Sequence, residues 1–516
     1  MSSRWSTFRE LYMTTDRRVL GVVRIVYGLV LLADLARRCR VLELYYSNDG
    51  ILANHYLLYS PQYRPQFTLL AAFSTPGEVA VAFLGMGLVF LLFTLGLFTR
   101  PMQVLTLVCI TSLNARNLFA EDGGASTLIA LATWTAFLPL GDRYSLDALR
   151  REARLPSLRA RVTLRRRLKK PVVSFAVLAL TLQIVAIYLL NATQKTGPTW
   201  RNGEAVHYVL WQNRVATEFA AWLAQNEPAW FSPLATRGTI LVELAIPLLI
   251  LYPRGYRTRI VAFCLSVALH TGIALLMTIG PFSYAMMALV LTVLPAGALV
   301  WLGERLPVGL RSRVTRLHAT AIARLGLRLE RSPPPRPAKR PLPWEKLREA
   351  SVVVLMLALA TELTRANPAF RLKLPQPEWL HAAIYYPRMT QRWLMFAPEA
   401  PRDDGMTVVD AVTVKGVHVD PFTGEAPDFD VLEKGPVPHP MEVADYLFQV
   451  QFDFNKAYHR ELNRYLEHWH ERSGRGPDDQ LVSYEAWWLF RNSPKPGSVE
   501  AGPVERRLFT QGRFRR

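Results

Sequence analysis

Residues 165–200 read RRRLKKPVVSFAVLALTLQIVAIYLLNATQKTGPTW. Three chemistries follow one another here. A cationic block, Arg165 to Lys170, meets an uncharged apolar run over 171–190, and a short polar stretch then carries Lys195 and Trp200. About 20 mostly apolar residues in a helix suffice to cross the hydrocarbon core of a bilayer. Lys and Arg gather on the cytoplasmic side of such spans, because translocating them is costly. The stretch therefore predicts a membrane helix with its basic end in the cytoplasm and Lys195 just beyond its far end.

Working outward, eight further apolar runs have similar character: 18–36, 78–98, 101–119, 124–140, 235–253, 257–278, 281–303 and 349–365. The run 124–140 is among the shortest, as is the last, which Glu362 closes. Together they predict an all-α polytopic membrane bundle of about nine transmembrane helices. With nine spans, the basic arm (Arg4, Arg9, Arg17, Arg18), the loop 141–170, the turn near Arg257 and Arg259, and the segment 304–348 all fall on one side. That places the N-terminus in the cytoplasm and everything after 366 outside. Arg37, Arg38 and Arg40 run mildly against the rule, and Arg24, two turns into the first span, is expected to snorkel to the cytoplasmic surface.

The organisation expected is a bundle over 1–303, a basic amphipathic helix with a Pro-rich cytoplasmic linker over 304–348, a last span over 349–366, and an extracytoplasmic α+β domain over 367–516. In that domain MTVVDAVTVKGVHVDPFTG (406–424) alternates like a hairpin with its turn at Lys415-Gly416. A helical stretch is expected at 441–471, followed by a tail holding Trp487 and Trp488.

Half of the 516 residues are hydrophobic, yet the net charge is +20. A membrane protein separates those properties in space, so the charge is no argument for nucleic acid, and no zinc-finger spacing or Gly-rich phosphate loop accompanies it. Three cysteines, Cys39, Cys109 and Cys264, make neither a metal site nor a disulfide framework. No metal is predicted.

Lys195 is the leading candidate residue. Among Trp200, His207 and Tyr208 its ammonium would lose hydration, which favours the neutral amine and makes it a base. The plainer alternative is an interfacial lysine within an aromatic belt. Glu243 lies mid-span with Pro247 one turn later, and His270 lies in the next span, so the two can meet across neighbouring helices. A structural carboxylate–imidazole pair is the competing account. Glu121 and Asp122 matter only if their turn folds over the Lys195 loop.

Several of these residues sit in motifs that resemble the HTTM (horizontally transferred transmembrane) family, which includes vitamin K-dependent gamma-glutamyl carboxylases. Lys195 is followed five residues later by Trp200 and then by Gly203. Glu243 and His270 precede GPFSYAMMA (280–288), while FLPLGDRYSLD (137–147) and QRWLMFAPEAP (391–401) complete the likeness. The last motif resembles bacterial members and points to a bacterial inner membrane, with the C-terminal domain periplasmic. The chain departs from the carboxylases at Gln194, where they pair lysines, and at Ile273-Ala274-Leu275, where they carry polar residues.

The resemblance implies a carboxylase-like lyase. Lys195, Glu243 and His270 would be catalytic toward reduced vitamin K or another quinol, and a Glu-containing protein would be the substrate. Trp200, His207, Tyr208, Asp122 and Tyr284 would bind substrate. The alternative is a non-enzymatic membrane protein that binds a lipophilic quinone or lipid and whose outer domain engages a partner. A transporter ranks third, since no repeated halves are visible.

Overall fold

The computed structural model describes residues 2–55, 66–117, 119, 122–155, 157–252, 256–305, 307–328, 343–437 and 439–514. Helix α1 (Arg17–Cys39) starts at Asp16, whose carboxylate accepts the Arg18 backbone N–H. Helix α2 (Pro76–Leu95) opens with a reciprocal cap between Thr75 and Glu78 and stops at Gly96. Helices α3 (Thr99–Ala115) and α4 (Gly123–Ala136) follow, then α5 (Phe175–Gln194), α6 (Phe231–Leu251) and α7 (Tyr256–Leu276). Helix α8 (Phe282–Val290) tightens into a 3-10 turn before α9 (Ala296–Arg305). Helices α10 (Val308–Arg328) and α11 (Pro343–Ala366) end the bundle. Most of the expected Pro-rich linker, including 329–342, lies outside the described residues.

The expectation of nine spans is overturned. Among the described residues five helices are long and apolar enough to cross a membrane: α1, α2, α5, α6 and α7. The number reaches six only if α8 and α9, bent by 104°, form one span. The run 101–119 yields a helix of 17 residues and 124–140 one of 14. At 1.5 Å per residue these reach only about 25 and 21 Å, against a core about 30 Å thick. The run 281–303 is interrupted at Pro295, which lacks the N–H that would carry a helix through. Helix α11 is long, but Glu349 at one end and Glu362 and Arg365 at the other crowd its apolar middle.

The helices nevertheless share two well-defined ends. At the basic end, strand β1 (Thr14–Thr15) pairs antiparallel with β2 (Val172–Val173), which sets the start of α1 beside the start of α5. Arg17 pairs there with Asp142, and Glu349 at the start of α11 accepts the Phe175 N–H at 2.8 Å. Arg24 does not snorkel. Its side chain is fully buried and donates to the backbone carbonyls of Thr94, Leu140, Arg143 and Tyr144. Gly96 makes room for it: φ is +68°, and a Cβ there would stand 2.7 Å from the guanidinium carbon.

At the opposite end sits the C-terminal domain. Arg38, buried, binds Asp34, Tyr46 and Asn114, while Arg37 bridges Asp34 and Glu442. Arg464 donates to the carbonyls of Asn48 at 2.7 Å and Gly50 at 2.6 Å. The domain is a four-stranded antiparallel sheet of order β4-β3-β5-β6, made of β3 (Asp403–Thr413), β4 (His418–Val419), β5 (Leu481–Asn492) and β6 (Glu505–Arg513). The hairpin turns at Gly416 with φ +77°. Helices α12 (Met441–Val450) and α13 (His459–Glu467) supply Tyr446, Leu447 and Leu462 to the core. The segment read as a tail at Trp487 and Trp488 is β5, a central strand paired along its length with β3.

Candidate functional site

Helix α5 gives way at Lys195, whose φ and ψ of −78° and 71° leave the helical region. Gly197 and Pro198 then start a short helix, Pro198–Asn202, which stops at Gly203 with φ +81°. This sharp relay turns Lys195 back toward α6. Its Nζ lies 2.6 Å from both carboxylate oxygens of Glu243, and 4.6 Å from the centre of the Trp200 ring. Both partners are buried, with side chains 5% and 9% exposed. Pro247, one turn after Glu243, has no N–H to offer the Glu243 carbonyl, so the helix ladder is open beside the pair.

Lys195, Trp200 and Glu243 line a cavity of about 400 Å³, and His270 on α7 lines it too. The remaining walls are chiefly apolar, among them Phe282, Met286, Met395 and Phe396. His270 Nε2 and the Tyr188 hydroxyl share a hydrogen bond of 2.8 Å, and the same hydroxyl lies 2.8 Å from Ser266 Oγ. His270 Nδ1 has no hydrogen-bond partner among the described residues. The centre of its ring lies 5.4 Å from that of Phe282, with the two planes at 72°. Glu243 and His270 thus line one cavity without pairing with each other.

The segment 393–400 roofs the cavity through backbone bonds. Trp200 Nε1 donates to the Phe396 carbonyl at 2.7 Å, Gly197 N–H to the Pro398 carbonyl at 2.8 Å, and Met395 N–H to Asn191 Oδ1 at 3.1 Å. Gln194 donates to the Trp393 carbonyl at 2.9 Å.

The other candidates lie elsewhere. His207 is turned away from the cavity, its Nδ1 2.7 Å from Glu227 and its Nε2 2.9 Å from the Pro494 carbonyl. Burial opposes its cationic form, but these two acceptors outweigh it and raise its pKa above the usual histidine value. Tyr208 packs beside Trp200 and Ala400 without lining the cavity. Asp122 caps α4 at the Ala125 N–H, 2.7 Å, and faces Arg37; burial lifts its carboxyl to about 6. Tyr284 is 55% exposed, and Glu121 lies outside the described residues.

Sequence reasoning missed Tyr188 and Asn191. With Lys195 they sit at i, i+3 and i+7, one stripe of a helix, and that spacing was the available signal. No cluster of His, Cys, Asp or Glu able to hold a metal ion occurs among the described residues.

No curated protein and no solved structure matches the chain. The family model described as HTTM domain matches residues 12–296, just over half of the chain, a region that contains Lys195, Trp200, Glu243 and His270. The chain therefore belongs to the HTTM domain family.

Proposed function

We propose that this chain binds a lipophilic molecule with a polar head, a quinone or a lipid, in the cavity closed by Lys195 and Glu243. The observation that carries the reading is the contrast inside that cavity: apolar walls, with one buried ion pair at the roofed end. Its volume falls within the range of small-molecule sites, and such sites join apolar walls to a few placed polar groups. The residues fit a quinone in this sense, with apolar walls for ring and tail and an ammonium and carboxylate near the head. Because Lys and Arg favour the cytoplasmic side, the basic end of the bundle is assigned to the cytoplasm and the roof and C-terminal domain to the periplasm of a bacterial inner membrane. There the domain is available to a partner.

Carboxylase-like chemistry is the second reading, supported by a buried lysine beside a carboxylate and a histidine. It requires Lys195 as a free amine. With both Glu243 oxygens at 2.6 Å the ammonium is held in a pair, which favours binding over base catalysis.

The test uses protein in lipid nanodiscs titrated with an isoprenoid naphthoquinone. Binding in the cavity quenches the tryptophan fluorescence component that disappears in Trp200→Phe. Absence of any Trp200-dependent quenching overturns the reading. A parallel incubation with the reduced quinone, labelled bicarbonate and a Glu-rich peptide separates the two readings: incorporation lost in Lys195→Ala establishes the enzyme, and binding without incorporation establishes the binder.

A further inference from the structure

The cavity lies against the seam between α6 and α7, and that seam is built from small residues. Gly238 on α6 and Ala268 and Gly272 on α7 all line it. A Cβ added to Gly238 or Gly272 meets nothing within 4 Å. Ala268 lines the cavity and is itself one of the exposed residues of α7. At this point the wall has a gap in its side chains. Around it, Leu234, Leu241 and Leu275 are exposed at 63%, 66% and 58% on helices apolar enough to cross a membrane, so the surface there is lipid-facing.

Depth can be read along the helices. Gly238 follows Phe231, the start of α6, by seven positions, and Gly272 precedes Leu276, the end of α7, by four. At 1.5 Å per residue the gap lies about 6 to 10 Å below the helix ends. A short helix next to those ends, Glu218–Gln225, exposes Phe219 and Trp222, stacked at 5.9 Å, and Trp230 is exposed beside it. Aromatic side chains of this kind settle at the headgroup level. Thr217 N–H binds the Leu276 carbonyl, and Ala216 bridges to Met277, so this helix is tied to the end of α7. The gap accordingly opens into hydrocarbon just under the interface. On the aqueous side the path is shut by the roof, where Trp393 is only 1% exposed and the Phe396 carbonyl is bonded to Trp200.

We infer that the cavity is loaded sideways from the bilayer, through the gap framed by Gly238, Ala268 and Gly272. The inference rests on the lipophile-binding reading and narrows its ligand class. The occupant is a molecule dissolved in the membrane, whose tail lies in the gap while its head reaches the Lys195–Glu243 pair. A head without a tail, arriving from water, meets the closed roof.

Stopped-flow quenching of the Trp200 component in nanodiscs tests this with the isoprenoid naphthoquinone as probe. Gly238→Leu and Gly272→Leu each place a branched side chain in the gap and should slow association by about tenfold or more. Gly85→Leu on α2, another glycine with nothing within 4 Å, reports the effect of an added leucine away from the cavity and should associate at the wild-type rate. At fixed total quinone, the wild-type rate should fall in proportion as empty nanodiscs dilute the probe in lipid. Wild-type rates in both gap variants, or a rate indifferent to lipid dilution, overturn the lateral route while leaving the binding site standing. No Trp200-dependent quenching in wild type removes the site itself.

Discussion

Lys195 and Glu243, 48 residues apart in the chain, meet with one ammonium nitrogen 2.6 Å from both carboxylate oxygens at the closed end of an apolar cavity. Neither charge is tolerable there alone. Removing one partner of a buried pair leaves an uncompensated charge, at a cost of about 3–5 kcal/mol. Lys195→Met and Glu243→Leu should each lower the thermal midpoint in detergent markedly, and the double variant should recover most of the loss. The double variant should also lose naphthoquinone binding, which a purely structural pair would not require. Equal destabilisation in single and double variants would contradict this.

Arg24 provides a second test. A guanidinium with four carbonyl acceptors and, among the described residues, no carboxylate hydrogen-bonded to it holds the end of α2 and the segment 140–144 against α1. Arg24→Lys offers a point charge where a planar fork is needed, so it should not rescue the loss seen in Arg24→Gln. Gly96→Ala should cost at least about 1 kcal/mol through its left-handed backbone alone, with the contact to Arg24 adding more. The measurement is thermal unfolding of the purified variants.

The roof can be loosened without touching the ion pair. Asn191→Ala removes the acceptor of the Met395 N–H, worth about 1 kcal/mol. Hydrogen exchange over 393–400 should rise, and the quinone should dissociate faster. Unchanged exchange in this peptide would show that the other roof bonds suffice.

The C-terminal domain carries a pH-sensitive joint. Asp404 accepts the Asn213 N–H at 3.0 Å, and burial raises its carboxyl from 3.8 to about 7. A carboxyl with a raised folded-state pKa favours the fold when protonated. Its contribution is therefore complete below the unfolded value near 4 and is lost as pH rises through 7. His207, also raised, acts in the same direction, since its stabilisation is present below its unfolded value and fades as pH rises past its folded one. Thermal midpoints should therefore fall from pH 4 to 7 through Asp404, with His207 extending the fall above its ordinary value of about 6.5, and Asp404→Asn should raise the midpoint at pH 8 and flatten the profile. A midpoint that rises with pH over this window would refute the assignment.

Apolar runs and basic clusters were legible because both are one-dimensional properties of the chain. The membrane character followed from them, while the hairpin at Gly416 followed from strand-like alternation on both sides of Lys415-Gly416. Helix number was not legible, because composition averaged over 101–119 or 281–303 does not record that one helix ends at Ala115 and the other is broken at Pro295. Arg24 read as a snorkelling residue because its four acceptors are backbone carbonyls, which any residue supplies. Trp487 and Trp488 looked like a tail because the strands beside them, β3 and β6, are assembled from segments on both sides in the sequence. In the site, Lys195 and Glu243 were each visible, but their partnership was not, because Glu243 was weighed against its neighbour His270. His207 was drawn in by its closeness to Lys195 in sequence, although the short helix that carries it faces Glu227 instead.

Met395 and Phe396 complete the cavity from a part of the chain beyond residue 296, where the family match ends. Main-chain groups at Phe396, Pro398 and Met395 do the fastening, so the side chains at 395 and 396 are free to change without detaching the strap. A cover fastened through its main chain can take new side chains at 395 and 396 while the charged pair beneath it stays as it is.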